Sequence, residues 1–163
     1  MRPSWRKPLR SILAKRASDP AFRLAVVGIG NELHGDDGAG VIVARRVVKR
    51  ILHPNMMVIE GATAPEAFTG PLRRFHPSVV LLVDIADLGG KPGAISFVVM
   101  EHLSGWTGNS HTMPPTVLAD FLIQDMGCEV ALLAIQPKQL EFGEKLSSPI
   151  QRAVARVVHE LST

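Results

Sequence analysis

From Leu24 onwards, short apolar segments alternate with amphipathic ones, and this alternation is the feature that most constrains the fold. The apolar segments are typical of strands buried on both faces, and the segments between them have the apolar spacing of helices that cover a sheet. This order predicts a single-domain α/β fold, a three-layer sandwich in which a five-stranded, mostly parallel, twisted sheet has helices on both faces. The five predicted strands are Leu24–Ile29, Met56–Glu60, Val79–Asp84, Ala94–Val99 and Glu129–Ile135.

Stripes of apolar residues at helical spacing predict which faces of the helices are buried. After the first strand the stripe is Val41, Ala44, Val47, Val48 and Ile51. A second helix, with capping-box spacing at Thr63–Glu66, carries Phe68, Leu72 and Phe75. A third, over Pro114–Met126, directs Val117, Leu118, Phe121 and Leu122 inward, with Gly127 as its stop. The last begins at Ser148-Pro149 and packs through Ile150, Val154, Val157, Val158 and Leu161.

Residues 1–23 form a basic N-terminal extension, and residues 24–163 are predicted to form the domain itself. The extension contributes +6 to a net charge of +3, so residues 24–163 carry −3. Trp5, Leu9, Ile12 and Leu13 recur at the spacing of a short amphipathic helix. We interpret the extension first as a frayed end. The alternatives are docking on its own domain or on a partner and, after these, contact with a membrane surface.

Composition excludes several classes of protein. No apolar run reaches the roughly 18 residues of a membrane span or forms a secretory signal, so no stable membrane insertion is expected. The single Cys128 fits a reducing compartment, and we expect a soluble cytoplasmic protein, with a monomer favoured. A mildly acidic body without interleaved arginine and aromatic residues argues against a nucleic-acid partner.

The candidate functional residues follow the predicted strands. Ligands of parallel sheets bind at the carboxyl ends of the strands, where loops and helix N-termini converge. Asp37 lies in the loop after the first strand, Asp84 ends the third, and His111 follows the fourth. Two carboxylates and an imidazole there form a usable site for a divalent metal such as zinc, nickel or manganese.

Each of these residues also has a purely structural interpretation. Asp37, or equally Asp36, fits the N-cap of the helix that begins near Gly38. Asp84 could accept a hydrogen bond from the turn that follows it, although burying its carboxylate without a partner would be costly. His111 fits an ordinary loop histidine, as do the other five, among which His34 lies within the acidic loop.

Gly28-Ile29-Gly30 resembles the start of a dinucleotide-binding fingerprint, but the third glycine position is Leu33. An aspartate pair at the helix entrance would also repel a pyrophosphate. We therefore expect no organic cofactor, and a nucleotide-binding module remains only an alternative.

Several stretches together resemble the hydrogenase maturation endopeptidases, most closely their hydrogenase 3 type. The longest runs from Val27 to Gly40, and it is followed by Gly61–Glu66, Leu81–Gly89, Ser110–Pro114 and Gln136-Pro137. The resemblance covers residues 24–163 and implies a phosphorylase/hydrolase-like α/β fold. It is less informative about the extension, because short family members begin after it.

The resemblance implies an endopeptidase that removes a C-terminal peptide from the precursor of a nickel-iron hydrogenase large subunit. It places a metal-binding and catalytic trio at Asp37, Asp84 and His111, which recognises nickel carried by the substrate. Both metal-dependent and aspartic-type mechanisms are open. A non-catalytic nickel-binding maturation chaperone is the alternative function.

Overall fold

The computed structural model describes residues 3–51, 53–102 and 115–163. Within them, five strands form one sheet in the order β2-β1-β3-β5-β4. Four strands are parallel, and β4 runs antiparallel to β5 at one edge. The strands are β1 (Leu24–Ile29), β2 (Met56–Ala62), β3 (Val79–Ile85), β4 (Ile95–Val99) and β5 (Glu129–Ile135). The predicted mostly parallel five-stranded sheet is therefore confirmed.

Helices cover both faces of this sheet. One face packs against α1 (Arg6–Ser18), α2 (Ala39–Val48) and α5 (Ser148–Leu161). The other packs against α3 (Thr69–Phe75) and α4 (Pro115–Met126). Successive residues of β3 alternate between the two apolar clusters, and every residue of that strand is buried. This is why its sequence reads as one continuous aliphatic run.

The predicted helix faces are correct where the helix carries one dense apolar stripe. All five predicted packing residues of α5 are buried, and Gly127 ends α4 in a left-handed conformation with φ +65°. The prediction is wrong for Val48, Val117 and Phe121, whose side chains are exposed. Apolar spacing shows that these residues could be covered, but not that a neighbour covers them.

Helix α1 is a packed part of the molecule. Trp5, Leu9 and Leu13 are buried in the same apolar cluster as α5. At the helix surface, Arg6 and Arg10 donate to the carboxylate of Glu160 at 2.7–2.8 Å. The interpretation of this segment as a frayed end is therefore wrong, and docking on the chain's own domain is what the structure shows. The domain boundary at residue 24 stays a prediction.

The ranges 3–51, 53–102 and 115–163 contain no helix that is long and apolar enough to cross a membrane.

Candidate active site at the carboxyl ends of β1 and β3

The candidate site lies where two neighbouring strands send the chain to opposite faces of the sheet. Strands β1 and β3 are adjacent and parallel. After β1 the chain enters α2 on one face, whereas the connection that follows β3 leads through β4 to α4 on the other. Such a switch point leaves a crevice outside the carboxyl ends of the strands, which is the usual binding position in open α/β sheets.

Asp37 lies in a 3-10 helix, Gly35–Gly38, that joins the β1 loop to α2. Its Oδ2 accepts the N–H of Asn31 at 3.1 Å, and its side chain is largely buried. Two glycines let this segment approach the strand ends. A Cβ at Gly30 would overlap the backbone of Asp37, and a Cβ at Gly40 would overlap the carbonyl oxygens of Val83 and Ile29.

Asp37 and Asp36 do not cap α2. The N-cap position is Gly38, and it has no side-chain hydrogen bond. The helix-cap interpretation of the aspartate pair is therefore wrong, and the two carboxylates make other contacts. The capping-box prediction at Thr63 is also wrong, because a 3-10 helix, Pro65–Phe68, begins there without a side-chain cap.

Asp84 is fully buried near the end of β3. Its Oδ1 accepts the N–H of Ile85 at 2.8 Å. Its Oδ2 is also buried and has no hydrogen-bond partner among the described residues. Burial raises the pKa of Asp84 well above its ordinary value of 3.8. The hydrogen bond from Ile85 lowers this pKa, and the negative charge of Asp37 raises it further. The two carboxylates are thus close enough to interact.

Asp84 does not organise the turn that follows it, so that structural interpretation is wrong. Gln136, the residue after β5, accepts hydrogen bonds from the N–H groups of Leu88 and Gly90 through its Oε1. Asp87 accepts the N–H of Gly89 at 3.0 Å. Because Gln136 and Asp87 satisfy the turn, the carboxylate of Asp84 is left for another role.

Asp36 is also fully buried, but its carboxylate is completely hydrogen-bonded. Its Oδ2 accepts the N–H groups of Lys138 and Gln139, each at 2.8 Å. Its Oδ1 accepts the N–H of Ser147 at 2.7 Å, and the Ser147 hydroxyl contacts both oxygens. Asp36 therefore ties the 3-10 helix of Asp37 to the loop after β5 and to the start of α5. Sequence reasoning did not find this role.

His111 lies outside the described residues, so its position relative to the two aspartates stays a prediction. Across residues 3–51, 53–102 and 115–163, no three side chains of histidine, cysteine, aspartate or glutamate are grouped closely enough to hold a metal ion. What the structure brings together is the carboxylate pair Asp37 and Asp84.

A surface ion-pair network borders the site. Arg45 donates to Glu32 at 2.7 and 2.8 Å, and to Glu60 at 3.1 Å. These hydrogen bonds raise the pKa of Arg45, and the bond to Arg45 lowers the pKa of Glu32. Arg45 thus links the loop after β1, which contains Glu32, to Glu60 in β2.

Comparison with known proteins identifies the family. The family model described as hydrogenase maturation protease matches residues 41–163. The chain belongs to this family. The hydrogenase 3 maturation protease of Escherichia coli K12 is 35% identical to it over 134 residues, which are 82% of this chain and 85% of that protein. Members of the family are endopeptidases, so the chain is a peptide-bond hydrolase.

Solved structures of the family share the fold. HycI from Thermococcus kodakarensis has a TM-score of 0.81 at 25% identity, and the overlap covers 92% of this chain and 96% of that one. HycI from Escherichia coli has a TM-score of 0.75 at 32% identity, with 86% and 90% covered. Residues 24–163 make up less than nine-tenths of the chain, so the Thermococcus overlap includes part of the N-terminal extension.

Proposed function

We propose that this protease removes a C-terminal peptide from the nickel-loaded precursor of a nickel-iron hydrogenase large subunit. In this proposal Asp37, Asp84 and His111 contact the nickel that the substrate carries, and the reaction takes place in the cytoplasm. The observation that carries the proposal is the buried Oδ2 of Asp84, which has no hydrogen-bond partner among the described residues and lies close enough to Asp37 for the two carboxylates to interact.

The residues present fit a divalent cation. Two carboxylates and an imidazole supply hard oxygens and one borderline nitrogen, a combination that suits nickel. A cation at the carboxylate pair would also offset the cost of burying Asp84 in ionised form. When bound, the metal would supply Lewis-acid polarisation and a fixed point for orienting the substrate chain.

The protein's own residues prepare this position. Asp36 and its partners hold the 3-10 helix that carries Asp37, and the hydrogen bond from Ile85 fixes Oδ1 of Asp84. Burial raises the pKa of Asp84 and so favours its protonated form. This property supports an aspartic-type role for the carboxylate pair as the alternative mechanism.

The test is a processing assay with purified precursor from the source organism, prepared with and without nickel. Mass spectrometry of the wild-type reaction should show loss of a C-terminal peptide from the nickel-loaded form only. Asp84→Asn should lower the rate on the order of 10³-fold, in line with the loss of a positioned acid, base or electrostatic group. Asp37→Asn and His111→Ala should also be strongly impaired.

Asp87→Asn is the matched control, because Asp87 is an exposed carboxylate three residues beyond Asp84. It should process the precursor at the wild-type rate. An Asp84→Asn protein that remains fully active would exclude the proposed site. A wild-type protein that leaves the nickel-loaded precursor intact would exclude the proposed substrate.

A further inference from the structure

Three large apolar side chains are exposed on two neighbouring loops beside the candidate site. Phe142 is 74% exposed, Leu33 is 60% exposed and Leu140 is 37% exposed. We call Leu33, Leu140 and Phe142 the apolar loop surface. Exposed aromatic and aliphatic side chains that cluster in this way commonly mark a binding site.

The apolar loop surface is held in place by hydrogen bonds. The N–H of Gly143 donates to the carbonyl of Leu33 at 2.8 Å, which joins the two loops directly. The rings of Phe142 and His34 meet edge to face, with centroids 5.7 Å apart. The contacts of Asp36 with Lys138 and Gln139 fix the second loop from below. The surface is therefore preformed, which lowers the entropy cost of binding.

The surface is also close to Asp37. Leu33 precedes Asp37 by four residues, so their Cα atoms lie within roughly 14 Å of each other even if the chain between them were fully extended. A groove of about 440 Å³ runs beside Leu33, with Ile42 and Leu146 among its apolar lining residues. An extended peptide that reaches the carboxylate pair could place a side chain about four residues away on this surface.

We propose that the apolar loop surface docks an apolar segment of the hydrogenase large-subunit precursor, close to the bond that is cut. This inference rests on the proposed function and names where the substrate is held. The occupant is the substrate, because Leu33 and Asp37 lie on the same loop, four residues apart, and a substrate chain has to bind at Asp37. Its area also argues against a second copy of this chain.

The area can be estimated from side-chain sizes. Side chains of this kind at these exposures present on the order of 300 Å². That is less than half of the about 800 Å² per partner that a stable interface buries. An area of this size fits a substrate that is bound, cut and released.

The test is steady-state processing of nickel-loaded precursor by Leu33→Ser, Phe142→Ser and the double variant. Phe142→Ser should raise KM about 10-fold with kcat within about twofold of wild type, because the lost contact lies away from the reacting atoms. Phe142→Leu should restore most of the affinity. Val48→Ser is the matched control, since Val48 is 44% exposed near the far end of α2 and should change neither constant.

The outcomes separate this inference from the proposed function. Wild-type cleavage together with an unchanged KM in the double variant would overturn the docking surface and leave the proposed function standing. No cleavage by the wild-type protein would overturn both. Analytical ultracentrifugation tests whether a second copy of this chain occupies the surface instead. If the wild type were a dimer, and Phe142→Ser made it a monomer without changing KM, the surface would serve self-association and the inference would be overturned.

Discussion

Two fully buried carboxylates at the same edge of the sheet have opposite surroundings. Asp36 accepts hydrogen bonds from three backbone N–H groups and from the hydroxyl of Ser147. Asp84 accepts one from the backbone of Ile85, and its other oxygen has no partner among the described residues. Asp36 joins segments of the fold, whereas Asp84 interacts electrostatically with a second carboxylate, Asp37.

The difference teaches how to separate structural from functional burial. A buried charge is costly unless hydrogen bonds or opposite charges replace its hydration. Asp36 has this compensation within the fold, so its burial is explained by structure alone. Asp84 has little of it, and this lack of compensation supports the proposal that a substrate or cation completes the site.

The largest effect is expected at Asp36. In Asp36→Asn the side-chain NH₂ would face backbone N–H donors, so we expect the free energy of unfolding to fall by about 2–4 kcal/mol. Urea denaturation followed by circular dichroism measures this. Glu144→Gln, an exposed carboxylate in the loop that Asp36 holds, should change stability by less than about 0.5 kcal/mol. If Asp36→Asn changed stability as little as Glu144→Gln, the hydrogen bonds of Asp36 would not be stabilising the fold as proposed.

Replacing Asp84 is expected to change the free energy of unfolding in the opposite direction. Asp84→Asn should increase the free energy of unfolding at pH 7 by about 1–3 kcal/mol, because it removes a poorly compensated buried acid. Since burial raises the folded-state pKa above 3.8, the folded state binds the proton more tightly than the unfolded state. Wild-type stability should therefore fall as pH rises from about 4 towards the folded-state pKa.

The gain from Asp84→Asn should accordingly shrink as pH falls towards the unfolded-state value of about 3.8, because below that value the carboxyl is protonated in both states of the wild type. Unfolding measured from pH 4 to 8 tests this dependence, with Asp87→Asn as the control that shows no gain. If Asp84→Asn were less stable than wild type at pH 7, the carboxylate would be stabilising and the contrast with Asp36 would be lost.

The smallest effect is expected at Glu160, a buried carboxylate compensated by arginines instead of backbone N–H groups. Hydrogen bonds from Arg10 and Arg6 lower its pKa below the ordinary 4.5. Glu160→Gln should cost about 1 kcal/mol at pH 7, because the arginines are solvent-exposed in part.

The contribution of Glu160 should be complete above pH 4.5 and should disappear as pH falls through the lower folded-state pKa. Thermal unfolding at several pH values and salt concentrations measures it. Glu66→Gln, an exposed carboxylate, serves as the control. A loss as large as that at Asp36 would show that the kind of compensation does not matter.

How far the sequence predicted these features depended on whether the pattern was local. The aliphatic run of β3 identified a strand buried on both faces, and the polar residue at its end identified Asp84. The partners of Asp36, by contrast, lie 102 to 111 residues away along the chain. Because Asp36 and Asp37 are adjacent, the sequence pattern does not show which of them supports the fold and which lies near Asp84.

The N-terminal segment shows the same limit. Helical spacing of Leu9 and Leu13 predicted an amphipathic helix there, and α1 confirms it. Whether that helix would pack on the domain depended on apolar surface and on Glu160 in α5, at the other end of the sequence. Val117 and Phe121 had the same apolar spacing as their buried neighbours, yet they are exposed.

The sequence by itself determined the α/β class, the five strands and the carboxylates at the strand ends, because these depend on residue type and short-range periodicity. Its motifs carried the resemblance to the family. Tertiary structure alone decided which carboxylate is satisfied, which helix faces are covered, and that Leu33 and Phe142 form one surface. Burial and hydrogen bonding depend on which distant segments meet, and that is settled only when the chain packs.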